Sequence, residues 1–136
     1  MRPTQIEHVG IAVKSLEESI PTFERLLGVA CRGIEEVAEQ KVRTAFFEIG
    51  GSRLELLEST SPEGPVGKFI ARRGEGMHHI ALAVEDLAGA IRELSGAGVQ
   101  MVESESRGGV ERSRVAFVHP RSTHGVLVEI CQRDPG

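Results

Sequence analysis

The sequence has no tryptophan and no tyrosine, and aromatic residues make up only 4% of it. That leaves no stacking platform for nucleic-acid bases and a core that must be built from aliphatic side chains. There are two cysteines, Cys31 and Cys131, too few for a disulfide framework and suited to a reducing compartment. No apolar run approaches the ~20 residues of a membrane span. The residues Met1, Arg2, Pro3 and Thr4 do not open an apolar leader. These features point to a cytoplasmic protein with no membrane partner. Sixteen basic residues stand against 20 acidic ones, a net charge of −4, with 26% charged residues. This balance excludes a disordered polyelectrolyte and supplies no basic excess for a phosphate backbone, so no nucleic-acid partner is expected. A length of 136 residues is close to one domain of ~150, and residues 1–136 read as a single domain.

What the sequence does have is an internal repeat. Glu7-His-Val-Gly-Ile-Ala-Val-Lys14 is echoed by His78-His-Ile-Ala-Leu-Ala-Val-Glu85. The histidines His8 and His79 are 71 residues apart. At the same offset Leu16 matches Leu87, Ile20 matches Ile91, and Arg43-Thr-Ala-Phe46 matches Arg114-Val-Ala-Phe117. The halves close on Gly51-Ser-Arg-Leu-Glu55 and Gly125-Val-Leu-Val-Glu129.

Each half reads as β-α-β-β-β. Residues 5–13 alternate and are rich in β-branched side chains, as a strand is. Ser15-Leu-Glu-Glu18 has the spacing of a capping box, and the helix it opens runs to Leu27, where Gly28 stops it. Strands are expected at 34–38, 42–49 and 52–58. The second half repeats the pattern with a strand at 78–84, a helix at 86–95 stopped by Gly96 and Gly98, and strands at 99–103, 113–119 and 125–131. Module 1 covers about 5–60 and module 2 about 76–132. The linker, 61–75, carries Val66, Phe69, Ile70 and Arg73 at helical spacing. Residues 104–112 read as a mobile loop. The fold class is α+β, with two tandem modules in a curved, cleft-containing mixed sheet.

Strand parity gives the repeat a chemical meaning. Side chains alternate faces, so His8 shares a face with Gly10 and Ala12, and His79 with Ala81 and Ala83. Small neighbours leave a hollow that an imidazole can enter. Glu55 and Glu129 point away from the apolar residues that flank them. One His at a strand start is ordinarily structural, and one Glu among leucines is ordinarily a wet face; recurrence in both halves argues for more. His8, Glu55, His79 and Glu129 together form an N2O2 set, suited to an octahedral divalent ion with two open positions. The absence of thiolates argues against a closed structural zinc site.

Other residues are weaker candidates. His78 falls on the Ile80 face and reads as packed. His119 and His124 flank the turn His119-Pro-Arg-Ser-Thr-His124, at the expected cavity edge. Cys131 shares a face with Glu129 and reads as a plain buried thiol. Arg72 and Arg73 read as a solvated helix end, and Arg107-Gly-Gly109 is too short to be a phosphate loop.

At this point the residues carry a resemblance. The paired module with His, Glu, His, Glu at these places resembles the vicinal oxygen chelate superfamily, and within it the methylmalonyl-coenzyme A epimerases. The segments are Ile6-Glu-His-Val-Gly-Ile-Ala-Val13, Leu54-Glu-Leu-Leu-Glu58, Gly76-Met-His-His-Ile-Ala-Leu-Ala-Val84, Phe117-Val-His-Pro-Arg-Ser122 and Gly125-Val-Leu-Val-Glu-Ile-Cys-Gln132. The resemblance covers residues 5–132. It implies His8, Glu55, His79 and Glu129 as ligands of one divalent ion, cobalt first, with manganese, nickel or zinc acceptable. It implies a coenzyme A thioester substrate, inversion at C2 through a metal-stabilised enolate, and a homodimer. Glu129 is the first candidate for the base and Glu55 its counterpart on the other face, with Glu48 a distant alternative. Some relatives carry a glutamate where this chain has Thr44. Arg121 and Ser122 are candidate substrate contacts, on their place in the turn. Two other readings use the same site: a glyoxalase I (lactoylglutathione lyase), with the same metal set on a glutathione hemithioacetal, and a non-catalytic ligand-binding module. An iron dioxygenase of the extradiol type needs only one carboxylate.

Overall fold

The structure is a computed structural model that describes residues 1–103 and 105–133, with Glu111 described through its backbone alone. Its strands are β1 (Gln5–Ala12), β2 (Gly33–Val37), β3 (Val42–Ile49), β4 (Ser52–Ser59), β5 (Gly76–Ala83), β6 (Arg107–Gly108), β7 (Ser113–Val118) and β8 (Val128–Arg133). The α-helices among the described residues are α1 (Leu16–Leu27), α2 (Pro65–Arg73) and α3 (Leu87–Gly96). None is long and apolar enough to cross a membrane. The eight strands belong to a mixed sheet, parallel where β5 pairs with β8 and antiparallel within β2-β3-β4 and β6-β7-β8.

The chain divides into two compact units, Val9–His78 and Met1–His8 with His79–Gly136. In the first unit α1 begins where the capping spacing predicts: the Ser15 hydroxyl accepts from the Glu18 N–H, and Gly28 closes the helix in the left-handed region at φ 71°. A glycine there avoids the Cβ clash of that conformation. The apolar side of α1, including Leu16, Ile20 and Phe23, packs on Val13, Ala45, Phe47 and Leu56. Those strand residues point to one face. The register Glu35↔Thr44↔Leu57 and Gly33↔Phe46↔Glu55 assigns Glu35, Thr44, Phe46, Glu55 and Leu57 to the other.

The second unit repeats this plan. Asp86 caps α3, its carboxylate accepting from the Gly89 N–H. Leu87, Ala90 and Ile91 pack on Ala116, Val118 and Ile130 of β7 and β8. Burying each leucine, isoleucine or valine among them contributes roughly 1.5–3 kcal/mol. His79, Ala81, Phe117, Glu129 and Cys131 lie on the face that α3 does not cover, with Glu129 opposite Ala81 on one side and Phe117 on the other.

The second strand of the second half departs from expectation. Residues 99–103 do not form a strand: Met101 makes an isolated bridge to Val118, while Val99 and Met101 pack against the α3 core. Pairing with β7 resumes only at Arg107↔Val115. Between those two pairs, five residues on one side stand against two on the other. The expected loop 104–112 holds β6 and a 3-10 turn, Val110–Arg112, and Ser104 lies outside the described residues. Gly109 explains the tight return, since a Cβ there would meet Ser113 Oγ at 2.6 Å and Val115 Cγ1 at 2.8 Å. The last strand also starts later than expected, at Val128, because Pro120–Thr123 forms a 3-10 turn that His124 closes at φ 58°. The linker helix is present, as α2, with Pro65 in its first turn.

Candidate metal centre

His8, on β1, and His79, on β5, bring their Nε2 atoms to 2.9 Å in the buried interior. Their rings meet edge to face, centroids 5.0 Å apart at 84°. From β8, Glu129 reaches both: Oε1 is 3.3 Å from His79 Nε2 and Oε2 is 3.6 Å from His8 Nε2. Phe117, opposite Glu129 in the register, stands edge-on to His79 at 6.0 Å. Ala81, wholly buried between them in sequence and register, gives the cluster its room.

The spacing suits a metal ion. Ligand atoms bound at roughly 2.0–2.2 Å lie about 3.0 Å apart at right angles and about 3.4 Å at the tetrahedral angle. The observed 2.9, 3.3 and 3.6 Å fall around those values. The chemistry agrees. Burial resists the charge on Glu129, yet the hydrogen bond and charge of His79, with His8 adding to them, hold its carboxyl below the usual range. A buried carboxylate and two imidazole nitrogens aimed at one another need a proton or a cation among them. His8, His79 and Glu129 are thus a group that could hold a metal ion.

Two residues that the sequence pattern did not single out complete this cluster. Glu7 Oε1 lies 2.6 Å from His8 Nδ1. Arg133, at the end of β8, grips the same carboxylate from Nε to Oε2 at 2.8 Å and from Nη2 to Oε1 at 3.1 Å. Burial pushes the Glu7 carboxyl up, but the hydrogen bonds from His8 and Arg133 outweigh it and hold the group at about 2. A signal existed: parity puts Glu7 on the Val9 and Ile11 face, where a charge demands a partner. Arg133 lies 126 residues away, with nothing local to name it.

The other predicted residues are placed as follows. Glu55, on β4, is buried at 2% exposure in the unit Val9–His78. Thr44 is fully buried one strand away, and its Oγ1 has no hydrogen-bond partner. Glu48 is half-buried and pairs with Arg53 at 3.3 Å. Arg121 and Ser122 are exposed on the 3-10 turn, where the Ser122 hydroxyl accepts from the Gln100 N–H. His119 starts that turn, its Nδ1 accepting from the Arg121 N–H at 3.0 Å. His78 packs edge-on against Phe69 at 5.0 Å. Cys131 is buried, and desolvation, with the charges of Glu129 and Glu7, pushes its thiol up to about 12 against Arg133 and Ser113.

Residues 7–117 match the family described as the Glyoxalase/Bleomycin resistance protein/Dioxygenase superfamily. An uncharacterized protein of Bacillus subtilis, YqjC, is 40% identical over 128 residues, which are 94% of this chain and 91% of that protein. The ethylmalonyl-CoA/methylmalonyl-CoA epimerase of Cereibacter sphaeroides is 30% identical over 94% of this chain and 97% of its own length. Among solved structures, a variant of the Streptomyces coelicolor methylmalonyl-CoA epimerase in complex with 2-nitronate-propionyl-CoA superposes with a TM-score of 0.95 at 35% identity. It covers 98% of this chain and 97% of that one.

Proposed function

The chain belongs to the Glyoxalase/Bleomycin resistance protein/Dioxygenase superfamily, in the company of its methylmalonyl-CoA epimerases, and from that premise we propose that it inverts C2 of methylmalonyl-CoA. One observation carries the proposal: a buried His8–His79–Glu129 donor cluster in a chain that matches such an epimerase over 98% of its length. The comparisons support epimerase chemistry; the metal, the ligand set and the proton path are our reading of the residues.

We assign His8, His79 and Glu129 to a divalent ion, cobalt first, with Glu55 as the fourth ligand by its place in the repeat. When bound, such an ion supplies positive charge where negative charge develops on the thioester oxygen. The protein must break the C2–H bond on one face and return a proton to the opposite face. Loss of the proton leaves its electron pair delocalised into the thioester carbonyl. Glu129 is the base we assign to one face, because His79 and His8 keep it ionised in spite of burial. Glu55 is the acid we assign to the other. Thr44 has a hydroxyl, which cannot act as a base at neutral pH, so the third strand contributes no base at that position. Glu48, tied to Arg53, is the weaker alternative. Arg121 and Ser122 are proposed substrate contacts, and the assembly proposed is a homodimer, which sedimentation velocity tests.

The test is C2 proton exchange. Cobalt-loaded protein is added to one stereoisomer of methylmalonyl-CoA in deuterated water, and the C2 and methyl signals are followed by NMR. Deuterium incorporation with inversion, lost on chelation and restored by metal, is expected. Metal bound at the cluster without exchange would overturn the substrate, and the glutathione hemithioacetal would be tried next. Exchange that survives complete chelation would overturn the role of the metal.

A further inference from the structure

His8 has a carboxylate built against its second ring nitrogen. Glu7 Oε1 sits 2.6 Å from His8 Nδ1, and Glu7 is itself 93% shielded, with 7% exposure. Its two oxygens are held from behind by Arg133, at 2.8 and 3.1 Å. A third bond from Arg133, Nη1 to the Val110 carbonyl at 3.3 Å, fixes the guanidinium in turn. A carboxylate accepts hydrogen bonds and does not donate them. The proton on the facing imidazole nitrogen is therefore Nδ1–H, and Nε2 is the atom turned toward His79 and Glu129, free to offer its lone pair once unprotonated.

We propose that Glu7, clamped by Arg133, is the positioning residue for His8: it fixes the tautomer and ring plane that present Nε2 to a divalent cation. The proposal rests on reading His8, His79 and Glu129 as a cation site. Carboxylates that orient a ligating histidine through its far nitrogen act in this way, and their removal costs metal affinity with the ligands intact. A purely structural ion pair between the first and last strands of the unit is the competing role, and the two predict different observables.

Two readouts separate them. In the first, the protein is labelled with nitrogen-15 histidine and its tautomers are read by long-range proton–nitrogen NMR in the absence of metal. Wild type is expected to show His8 as the Nδ1–H form. Glu7→Ala is expected to shift it toward Nε2–H and leave His79 unchanged, and Glu7→Gln, which keeps an acceptor oxygen, to retain most of the wild-type signature. In the second, cobalt affinity is measured by competition with a chelator. Glu7→Ala is expected to weaken binding by about 10- to 100-fold, Glu7→Gln by less, and Arg133→Met to fall between them. An unchanged tautomer together with unchanged affinity in folded Glu7→Ala, whatever its melting temperature, would overturn the proposal. If Glu7→Ala fails to fold, Glu7→Gln and Arg133→Met carry the same readouts. If wild type binds no cobalt, the cation-site reading fails by itself, while the tautomer experiment still decides whether Glu7 orients His8.

Discussion

β1 and β5 are two copies of one strand, and they part at the residue before the histidine. In β1 that residue is Glu7, which is buried, hydrogen-bonded to His8 and paired with Arg133. In β5 it is His78, which lies edge-on to Phe69. The histidines themselves converge to 2.9 Å. The repeat thus reproduces the two histidines and differs in the residue before each. Duplication supplies matched backbones and so matched histidine positions. Their surroundings depend on charges from distant strands, which each copy acquires by itself. The lesson is that a repeated histidine does not imply a repeated neighbour: Glu7 precedes one imidazole and His78 the other.

The hardest test of the comparison is to remove each proposed ligand. His8→Ala and His79→Ala are expected to abolish tight binding of one cobalt ion, measured by equilibrium dialysis with metal analysis. Either variant binding one ion as tightly as wild type would remove that histidine from the set. Glu129→Gln keeps shape and removes charge. It is expected to lower C2 exchange by about 10²- to 10⁴-fold, with thermal unfolding little changed. Near-normal exchange in that variant would strip Glu129 of the role of base.

The asymmetry gives the next, smaller effect. Replacing His78 with alanine removes an aromatic contact on α2 and should leave cobalt affinity within about twofold, as expected of a residue outside the proposed ligand set. Glu7→Ala should weaken it by the larger factor given above. Equal effects from the two variants would mean that the strand, not the carboxylate, is what orients His8.

How much of this was legible beforehand follows the same division. The strands that carry the two histidines could be read because parity is a local property: His8 beside Gly10 and Ala12, His79 beside Ala81 and Ala83. Both helix starts were equally local. The strand expected at 99–103 was misread because Val99 and Met101 have the spacing of a strand but serve as packing against α3. Only one bridge forms there, and pairing resumes beyond a run of extra residues at β6. The crowding of Gly109 on Ser113 and Val115 is a contact between segments that no single window contains. Arg133 was invisible for the same reason. Its partner is 126 residues away, and the oddness of a charge at Glu7 said that a partner was needed, not which one.

The helix caps are a place where the copies should agree. Ser15 and Asp86 occupy equivalent positions 71 residues apart, the offset of His8 and His79. Each accepts from the backbone N–H three residues on, at 3.2 and 3.0 Å. Ser15→Ala and Asp86→Ala should each cost ~1 kcal/mol, a drop in melting temperature of about 3–5 °C. Asp86→Ala should cost slightly more, because its charge also favours the helix N-terminus. Neither should alter cobalt affinity. A cap variant that did so would show that the helix faces and the ligand faces of the sheet are coupled.

The two cysteines give the smallest effect and the finest probe. Cys31 is partly exposed, in the unit Val9–His78, and its Sγ lies 3.4 Å from the Gly33 carbonyl. Cys131 is 2% exposed on the ligand face of β8, and desolvation, with Glu129 and Glu7 nearby, lifts its thiol to about 12. At pH 8 that leaves on the order of one thiolate in ten thousand, and the thiolate is the reactive form. A disulfide reagent at pH 8 is therefore expected to titrate one thiol quickly and the second at least about 100-fold more slowly, with both released together in denaturant. Cobalt should slow the second phase further if it closes the cluster beside Glu129. Labelling of both thiols at one rate in the native protein would mean that β8 opens locally far more often than its burial implies. The face of β8 that carries Glu129 would then be a dynamic element instead of a fixed wall.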